Sequence, residues 1–465
     1  MFKTLANAWK IKDLRDKLLF TIMIILLYRI GAAITVPFVD ANAVANTLQG
    51  NSLQNVLSGT SNSILNFLNT LSGGALANAS LFALGVSPYI TASIVMQLLT
   101  VAIPPLERLA KQGEEGKQKI NVITRYVTVA ISLVTAIGYY FYIRYQATGL
   151  VAGADTWYIA IVIIACYCAG SSLVMWLAEK INDKGIGNGI SIILFANIVS
   201  RFPAIVVYIV TVFRTVTTQD INDQYSEIIP TIIIVLSLIA MLAMIWFIVF
   251  ISDSERRIPV QYAKKVVGRK MYGGRNTNLP IKLNMTGVMP IIFANSILSL
   301  PGMIFGFINV EDQDSFLYSV KVFFTNTASW FFVLMTFILI LAFAYFYVAI
   351  SFNPTEVAGN LQQNGGSIPG IRPGKPTSTF IKKVLSKVTF MGALALSVIA
   401  VLPPLIQLIL GYVAEWTAMP EFAFSVVTDF VHSGSSVIIV VGVILETVRE
   451  IEAQMTMRHY KGFLD

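Results

Sequence analysis

A chain of 465 residues that is 55% apolar and only 12% charged, with a mean hydropathy of +0.71, cannot hide its apolar side chains in a water-soluble core. That excludes a soluble globular fold and leaves a polytopic membrane protein. The formal charge of +8 matters less for its size than for where the cations lie.

Ten apolar runs are long enough to be read as membrane spans. In chain order they are 18–36, 81–103, 122–142, 158–177 and 190–212, then 228–251, 288–307, 329–350, 388–410 and 432–448. Ahead of the first, Leu5, Trp9 and Ile11 alternate with lysines. Two readings of that segment stand: an amphipathic helix lying at the headgroups, or charge that only sets topology. The first run exceeds the apolar core of a signal peptide and no small-x-small cleavage site follows it, so it is expected to remain as a span.

An Asn/Ser-rich stretch, 40–62, leads into residues 64–71. Eight residues of helix cover about 12 Å against a hydrocarbon core of about 30 Å, so this piece is predicted to be helical but too short to cross. Ser72-Gly73-Gly74 then lets the chain turn, because glycine tolerates left-handed backbone angles. The run 81–103 is expected to continue as a full spanning helix. Backbone broken at membrane depth survives only where protein buries it or water reaches it. A half-helix followed by a full one therefore predicts something folded back into an internal cavity.

Further along, KGIGNGIS (184–191) is not a phosphate loop, since no strand precedes it and a membrane helix follows. It reads as a flexible helix start with Asn188 supplying the cap. Arg201-Phe202-Pro203 predicts that the fifth helix ends near that point. Two inter-span segments, about 252–285 and 351–387, are too long to be mere connections. The first alternates in RRIPVQYAKKVVGRKMY, which suits a protruding hairpin. The second, NPTEVAGNLQQNGGSIPGIRPGKPT, is rich in turn formers. Their cations exceed what topology needs and suit a partner gripped through phosphates or carboxylates.

With the N-terminus placed inside, 28 of the 33 basic residues fall in inside segments and four (Arg144, Arg201, Arg214, Lys321) outside, Arg29 lying within the first span. That bias puts both termini in the cytoplasm. Ten spans then divide into two halves of five in opposite orientation, the signature of an inverted repeat. The expected organisation is a surface segment over 1–17, halves at 18–225 and 226–449, and a cytoplasmic tail over 450–465. Cys166 and Cys168 lie two apart in one helix and point to nearly opposite faces, which argues against a shared metal or disulfide.

Chemistry is scarce. There are two histidines, His432 and His459, and no nucleophile motif, metal-ligand cluster or intramembrane carboxylate pair, so neither an enzyme nor a cofactor is expected. Ion-coupled transport of small solutes is the stronger rival, but it usually leaves a charge in mid-span. Here Arg29 and Glu446 lie toward helix ends. A passive pore closed by an apolar constriction, which blocks ions by dewetting, fits better.

Five phrases carry a resemblance: SGGALANASLFALGVSPYITASI (72–94), KGIGNGIS (184–191), ERRIPVQYAKK (255–265), NLPIKLNMTGVMPIIFANSI (278–297) and NPTEVAGNL with IPGIRPG (353–374). In order and over almost the whole chain, they resemble the SecY family, the channel subunits of the bacterial protein-secretion translocase. The resemblance implies an all-α, ten-helix channel of the cell membrane that passes unfolded secretory proteins and releases membrane helices sideways. It implies a plug over about 62–74, carried by Ile64, Leu65, Phe67, Leu68, Leu71, Ser72, Gly73 and Gly74. Val86, Ile90, Ile190, Leu194, Ile292 and Ile439 match the family's pore ring. The family usually has isoleucine at all six, so Val86 and Leu194 are departures that keep the ring apolar. The second and third helices would part from the seventh and eighth as a lateral gate, with Gln97 and Asn295 as polar gate residues. Arg256, Arg257 and Arg372 match positions used by the ribosome and the motor ATPase SecA. The implied partners are the small membrane subunits SecE and SecG, SecA, the ribosome, signal-bearing preproteins and the lipid bilayer.

Overall fold

The computed structural model describes residues 7–50, 63–147, 149–151, 156–203, 207, 228–262, 265–267, 270–272, 276–307, 320, 323–324, 329–417 and 421–461. Several expectations fall on positions outside these: the first residues of the N-terminal segment, the stretch 51–62 before the half-helix, and hairpin positions 263–264, 268–269 and 273–275. The side chains of Ile64 and Phe67 lie outside the described residues too.

Among the described residues the chain is all-α apart from a three-stranded and a two-stranded sheet. The helices are α1 (Lys12–Ala33), α2 (Ala41–Gly50), α3 (Ser63–Leu71), α4 (Ser87–Ala102), α5 (Pro104–Ala110), α6 (Glu114–Phe141), α7 (Trp157–Lys184) and α8 (Gly189–Ser200). There follow α9 (Ile228–Asp253), α10 (Met289–Phe307), α11 (Trp330–Ser351), α12 (Pro354–Gln363), α13 (Lys375–Thr417) and α14 (Glu421–Lys461). Among the described residues, four helical stretches are long and apolar enough to cross a membrane: Glu114–Tyr145, Trp157–Lys184, Trp330–Gln363 and Lys375–Ile406. α4 and α5, bent by 104° at their junction, would make a fifth if the bent pair is counted as one span. Ile103 is extended there and Pro104-Pro105 follow it, so the helix cannot run straight through. The chain is thus a multi-pass membrane protein.

Side chains sort by face as a bilayer demands. On α1, Leu26 and Ile30 are about 60% exposed, while Ile24 and Tyr28 are buried. On α6, Thr124, Thr128, Ser132 and Thr135 form a buried hydroxyl row while Tyr126 and Val134 face outward. Thr124, Thr128 and Thr135 each donate to the carbonyl four residues back, so no hydroxyl there needs an outside partner.

Two groups of helices emerge from the contacts. α1, α4, α6, α7 and α8 pack on one another, and α9, α10, α11, α13 and α14 do the same. The groups meet where α4 and α6 touch α10 and where α8 touches α14. Within each group glycines admit a neighbouring chain. A methyl on Gly31 would strike the Phe82 ring, and one on Gly170 would sit 1.9 Å from the Leu81 carbonyl oxygen. Methyls on Gly392 and Gly442 would lie 2.1 Å from the Leu283 carbonyl and 2.0 Å from Val288.

The hairpin expected over 252–285 is present. β1 (Glu255–Tyr262) pairs antiparallel with β4 (Asn276–Lys282), from Glu255 opposite Lys282 to Gln261 opposite Asn276, and β2 (Lys265–Val267) pairs with β3 (Lys270–Tyr272). The second long segment joins the first. It contains α12 and β5 (Gly366–Ser367), which adds to the other edge of β1. Ile258, Val260 and Ile281 bury one sheet face against Leu361, Ile368, Ile381 and Leu385. α13 starts at Lys375, thirteen residues before the apolar run at 388, because its first turns are amphipathic and carry this small core.

Two further expectations change. The run 81–103 is not one helix: residues 72–86 are turns, and α4 spans 16 residues, about 24 Å, from Ser87. Gly85 at φ +56° and Pro88 in the first helical turn set that start. The N-terminal segment is not simply laid on headgroups either. Ala8 and Leu14 are buried with Ile186 and Ile451, and Lys17 donates to Gln454.

Candidate functional site

The short helix sits where the two groups meet. α3 is nine residues long and touches α8, α10 and α14. Leu65 and Leu68 are buried in a cluster with Leu76, Tyr139 and Tyr167, and Leu300 of α10 packs against it. The seat is nearly full: the void lined by Leu65, Leu68, Leu76, Ala83, Leu84, Ser87, Pro88 and Thr135 holds about 20 Å³, room for roughly one water.

After α3 the chain turns as the glycines foretold, Gly73 and Gly74 taking φ of +69° and +87°. Irregular buried backbone needs internal partners, and this turn has them. Asn69, 4% exposed, accepts the Ala77 N–H at 3.0 Å, and Ser72 Oγ accepts that of Leu76 at 3.2 Å. Tyr139 donates its hydroxyl to the Leu76 carbonyl at 2.6 Å, and Tyr167 to that of Ala79 at 3.5 Å. Leu81 N–H reaches Ile34 C=O, and Val36 N–H reaches Ala79 C=O.

The six ring positions lie on α4, α8, α10 and α14. Val86, Ile90, Leu194, Ile292 and Ile439 are 2 to 4% exposed in a single apolar cluster, and Ile190 packs against it. Leu71, at the end of α3, packs against the same cluster. Val86 immediately precedes α4, Ile190 is in the first turn of α8 and Ile292 in that of α10. α8 begins as expected, with Asn188 Oδ1 accepting the Ile190 N–H at 3.0 Å, and it ends at Ser200, beside Arg201-Phe202-Pro203. The starts of α4, α8 and α10 and the middle of the 41-residue α14 thus bring branched side chains together in one apolar cluster.

Gln97 and Asn295 sit on α4 and α10, the helices in contact across the seam. Both are partly exposed, and the Gln97 amide donates to Ser93 of its own helix. The three arginines are all exposed on the sheet unit. Strand alternation separates the first two: Arg256 is on the face of buried Ile258 and Val260, and Arg257 is on the outer face, its Nε 2.6 Å from Glu255. Arg372 lies just before α13, its carbonyl accepting from Thr377. Nearby, burial and then the charge of Arg449 push the Lys282 amine below its ordinary range. Among the described residues no cluster of three His, Cys, Asp or Glu could hold a metal.

Sequence reasoning passed over the polar side chains that hold the α3 end. Asn197, fully buried on α8, donates from Nδ2 to Tyr28 Oη at 2.9 Å and to the Leu71 carbonyl at 2.8 Å. Arg201 Nη1 donates to Thr70 Oγ1 at 3.0 Å. Arg29, toward the end of its helix, donates to the Ala196 carbonyl. The signal was there: an Asn and an Arg inside apolar runs mark internal partners.

A model of the SecY family matches residues 80–448. The chain is 40% identical to the protein translocase subunit SecY of Streptomyces coelicolor over the full length of both. Its fold is similar to a solved SecY protein whose plug domain is described as stabilising the closed state of the translocation channel and maintaining a membrane seal (17% identity, TM-score 0.59, 95% of this chain and 92% of that one). It is also similar to Sec61 in the canine ribosome-channel complex from the endoplasmic reticulum (17% identity, TM-score 0.57, the same coverage).

Proposed function

This chain belongs to the SecY family, and from that premise we propose that it is a non-enzymatic, protein-conducting channel for secretory and membrane proteins. The observation that carries the reading is the convergence of helices from both groups on one apolar cluster, with a half-helix seated against it. An apolar constriction dewets and holds back ions without any charged gate.

On this reading the ten apolar runs are ten spans in two inverted halves, and the 28-to-4 distribution of cations keeps both termini and the sheet unit in the cytoplasm. Val86, Ile90, Ile190, Leu194, Ile292 and Ile439 form the ring. Residues 62–74 form the plug, which fills the pore at rest. α4 and α6 part from α10 and α11 to admit a signal peptide, with Gln97 and Asn295 on the opening faces. Arg256, Arg257 and Arg372 receive SecA or the ribosome, whose surfaces offer carboxylates and phosphates to cations. SecE and SecG complete the membrane complex, and energy comes from the partner.

The test is reconstitution of the chain with its small subunits in vesicles. Passage of a signal-bearing protein into protease-protected space, dependent on SecA and ATP, supports the channel. Coupled uptake of a small solute with no partner, and no protein passage, would replace it with a transporter. A crosslink from a stalled secretory chain to a probe at Ile90 tests the path itself.

A further inference from the structure

α3 is held in two different ways. Its apolar residues meet both helix groups: Leu65 and Leu68 share their cluster with Tyr139 and with Leu300 of α10, and α14 lies alongside. Two polar ties at its C-terminal end run to the first group. Asn197 binds the Leu71 carbonyl, and Arg201, one turn further along the same face of α8, binds Thr70. Tyr28 and Arg29 of α1 brace this face, through the Asn197 amide and the Ala196 carbonyl. The fit is close: a methyl on Gly73 would lie 2.9 Å from Arg29 Nη2 and 2.9 Å from the Asn197 carbonyl.

Asn197 is an odd choice for packing. It has no exposed surface, it adjoins Ile193, Leu194 and Ile198 in the apolar cluster, and its Oδ1 has no hydrogen-bond partner. A buried amide with one atom unsatisfied weakens a core that leucine would fill. What asparagine alone supplies is a pair of donors that join α1 to the end of α3.

We propose that Asn197, braced by Tyr28, Arg29 and Arg201, is a polar latch that fastens α3 to the α1–α8 wall and sets the threshold at which the pore opens. The inference rests on the reading of α3 as a plug. When the seam between α4 and α10 parts, α3 loses its apolar contacts with the second group but stays fastened to the first. The pore unseals only when the latch bonds break. These are positioning residues, acting through α3.

The test measures resting ion permeability in vesicles holding the full complex without substrate, for Asn197→Leu, Tyr28→Phe and Thr70→Val, the first two also in a background lacking residues 63–71. Asn197→Leu should raise permeability about tenfold, the weight of one or two lost hydrogen bonds, with smaller rises for the other two. In the background lacking α3 it should add nothing. Asn197→Leu takes the donor from the buried Tyr28 hydroxyl and the Leu71 carbonyl, so its melting temperature should fall; Ile193→Ala, a cavity in the same helix that touches none of the latch bonds, should fall at least as far without raising permeability. If removing 63–71 raises permeability but the three point variants do not, the latch is wrong and the plug stands. If Asn197→Leu leaks further without α3, its effect runs through the wall and the latch is again overturned. If removing 63–71 changes nothing, the plug reading itself fails.

Discussion

Replacing Ile292 with asparagine puts the seal to a quantitative test. Ile292 is 4% exposed in the cluster shared by α4, α8, α10 and α14. Burying an isoleucine side chain is worth about 2 kcal/mol, and an amide left there without a partner costs about 1–3 kcal/mol. The dry state therefore loses about 3–5 kcal/mol relative to one in which water reaches the side chain. At about 1.4 kcal/mol per tenfold, that is a shift of two to more than three decades toward a wet constriction. Resting conductance of the reconstituted complex should rise, and a preprotein with a weakened signal should pass more readily. Ile340→Asn is the control: Ile340 on α11 is fully buried in the same cluster but is not a ring position. It should lose comparable stability without leaking, and Ile292→Thr gives a milder variant should Asn prevent folding. Equal conductance in the 292 and 340 variants would refute the argument, because the effect would then belong to the core at large.

Gly170→Val forces a branched side chain onto the Leu81 carbonyl. Overpacking of this kind costs about 1–3 kcal/mol, so the melting temperature in detergent should fall, and an unchanged value would mean that the contact is looser than the geometry implies. Asn69→Leu removes the acceptor for the buried Ala77 N–H, which costs about 1–3 kcal/mol; hydrogen exchange at Ala77 should speed by tenfold or more. Because Arg257 is on the outer sheet face and Arg256 on the face of Ile258, Arg257→Glu should weaken SecA or ribosome binding more than Arg256→Glu. Equal losses would count against recognition by that face.

The legibility of this chain in its sequence followed physical range. Gly73 and Gly74 announced their left-handed turn, Asn188 its cap and Arg201-Phe202-Pro203 the end of α8, because each acts within a turn of helix. The strand alternation at 256–262 was equally local. The start of α4 was misjudged because residues 81–86 are apolar enough to read as helix, while the turns leading into them are held from far away in sequence, by Ile34 at Leu81, Tyr139 at Leu76 and Tyr167 at Ala79. The union of the two long segments into one sheet failed for the same reason, since β5 has two residues and no pattern of its own. The six ring positions came from family resemblance; to periodicity alone, Ile292 is one more core isoleucine. Asn197 was the reverse case, visible by its polarity but silent about its partner.

The glycines that admit a neighbouring chain also say where this molecule can bend. Gly31 with Phe82, Gly170 with Leu81 and Gly189 with Ala178 lie within the first group of helices; Gly392 with Leu283 and Gly442 with Val288 lie within the second. At such points helix and neighbour are geared together, and sliding one past the other would drive the helix into backbone at Leu81, Ala178 and Leu283 and into the side chains of Phe82 and Val288. From α8 to α14 the approach is looser, a methyl on Gly187 meeting Thr447 only at 3.4 Å. α4 carries no glycine through which α10 could gear into it. Each group is then built like the shell of a bivalve, stiff in itself, with compliance left to the margins where the shells touch. A passenger forcing its way in would spread the shells along their ungeared edge long before it loosened either one.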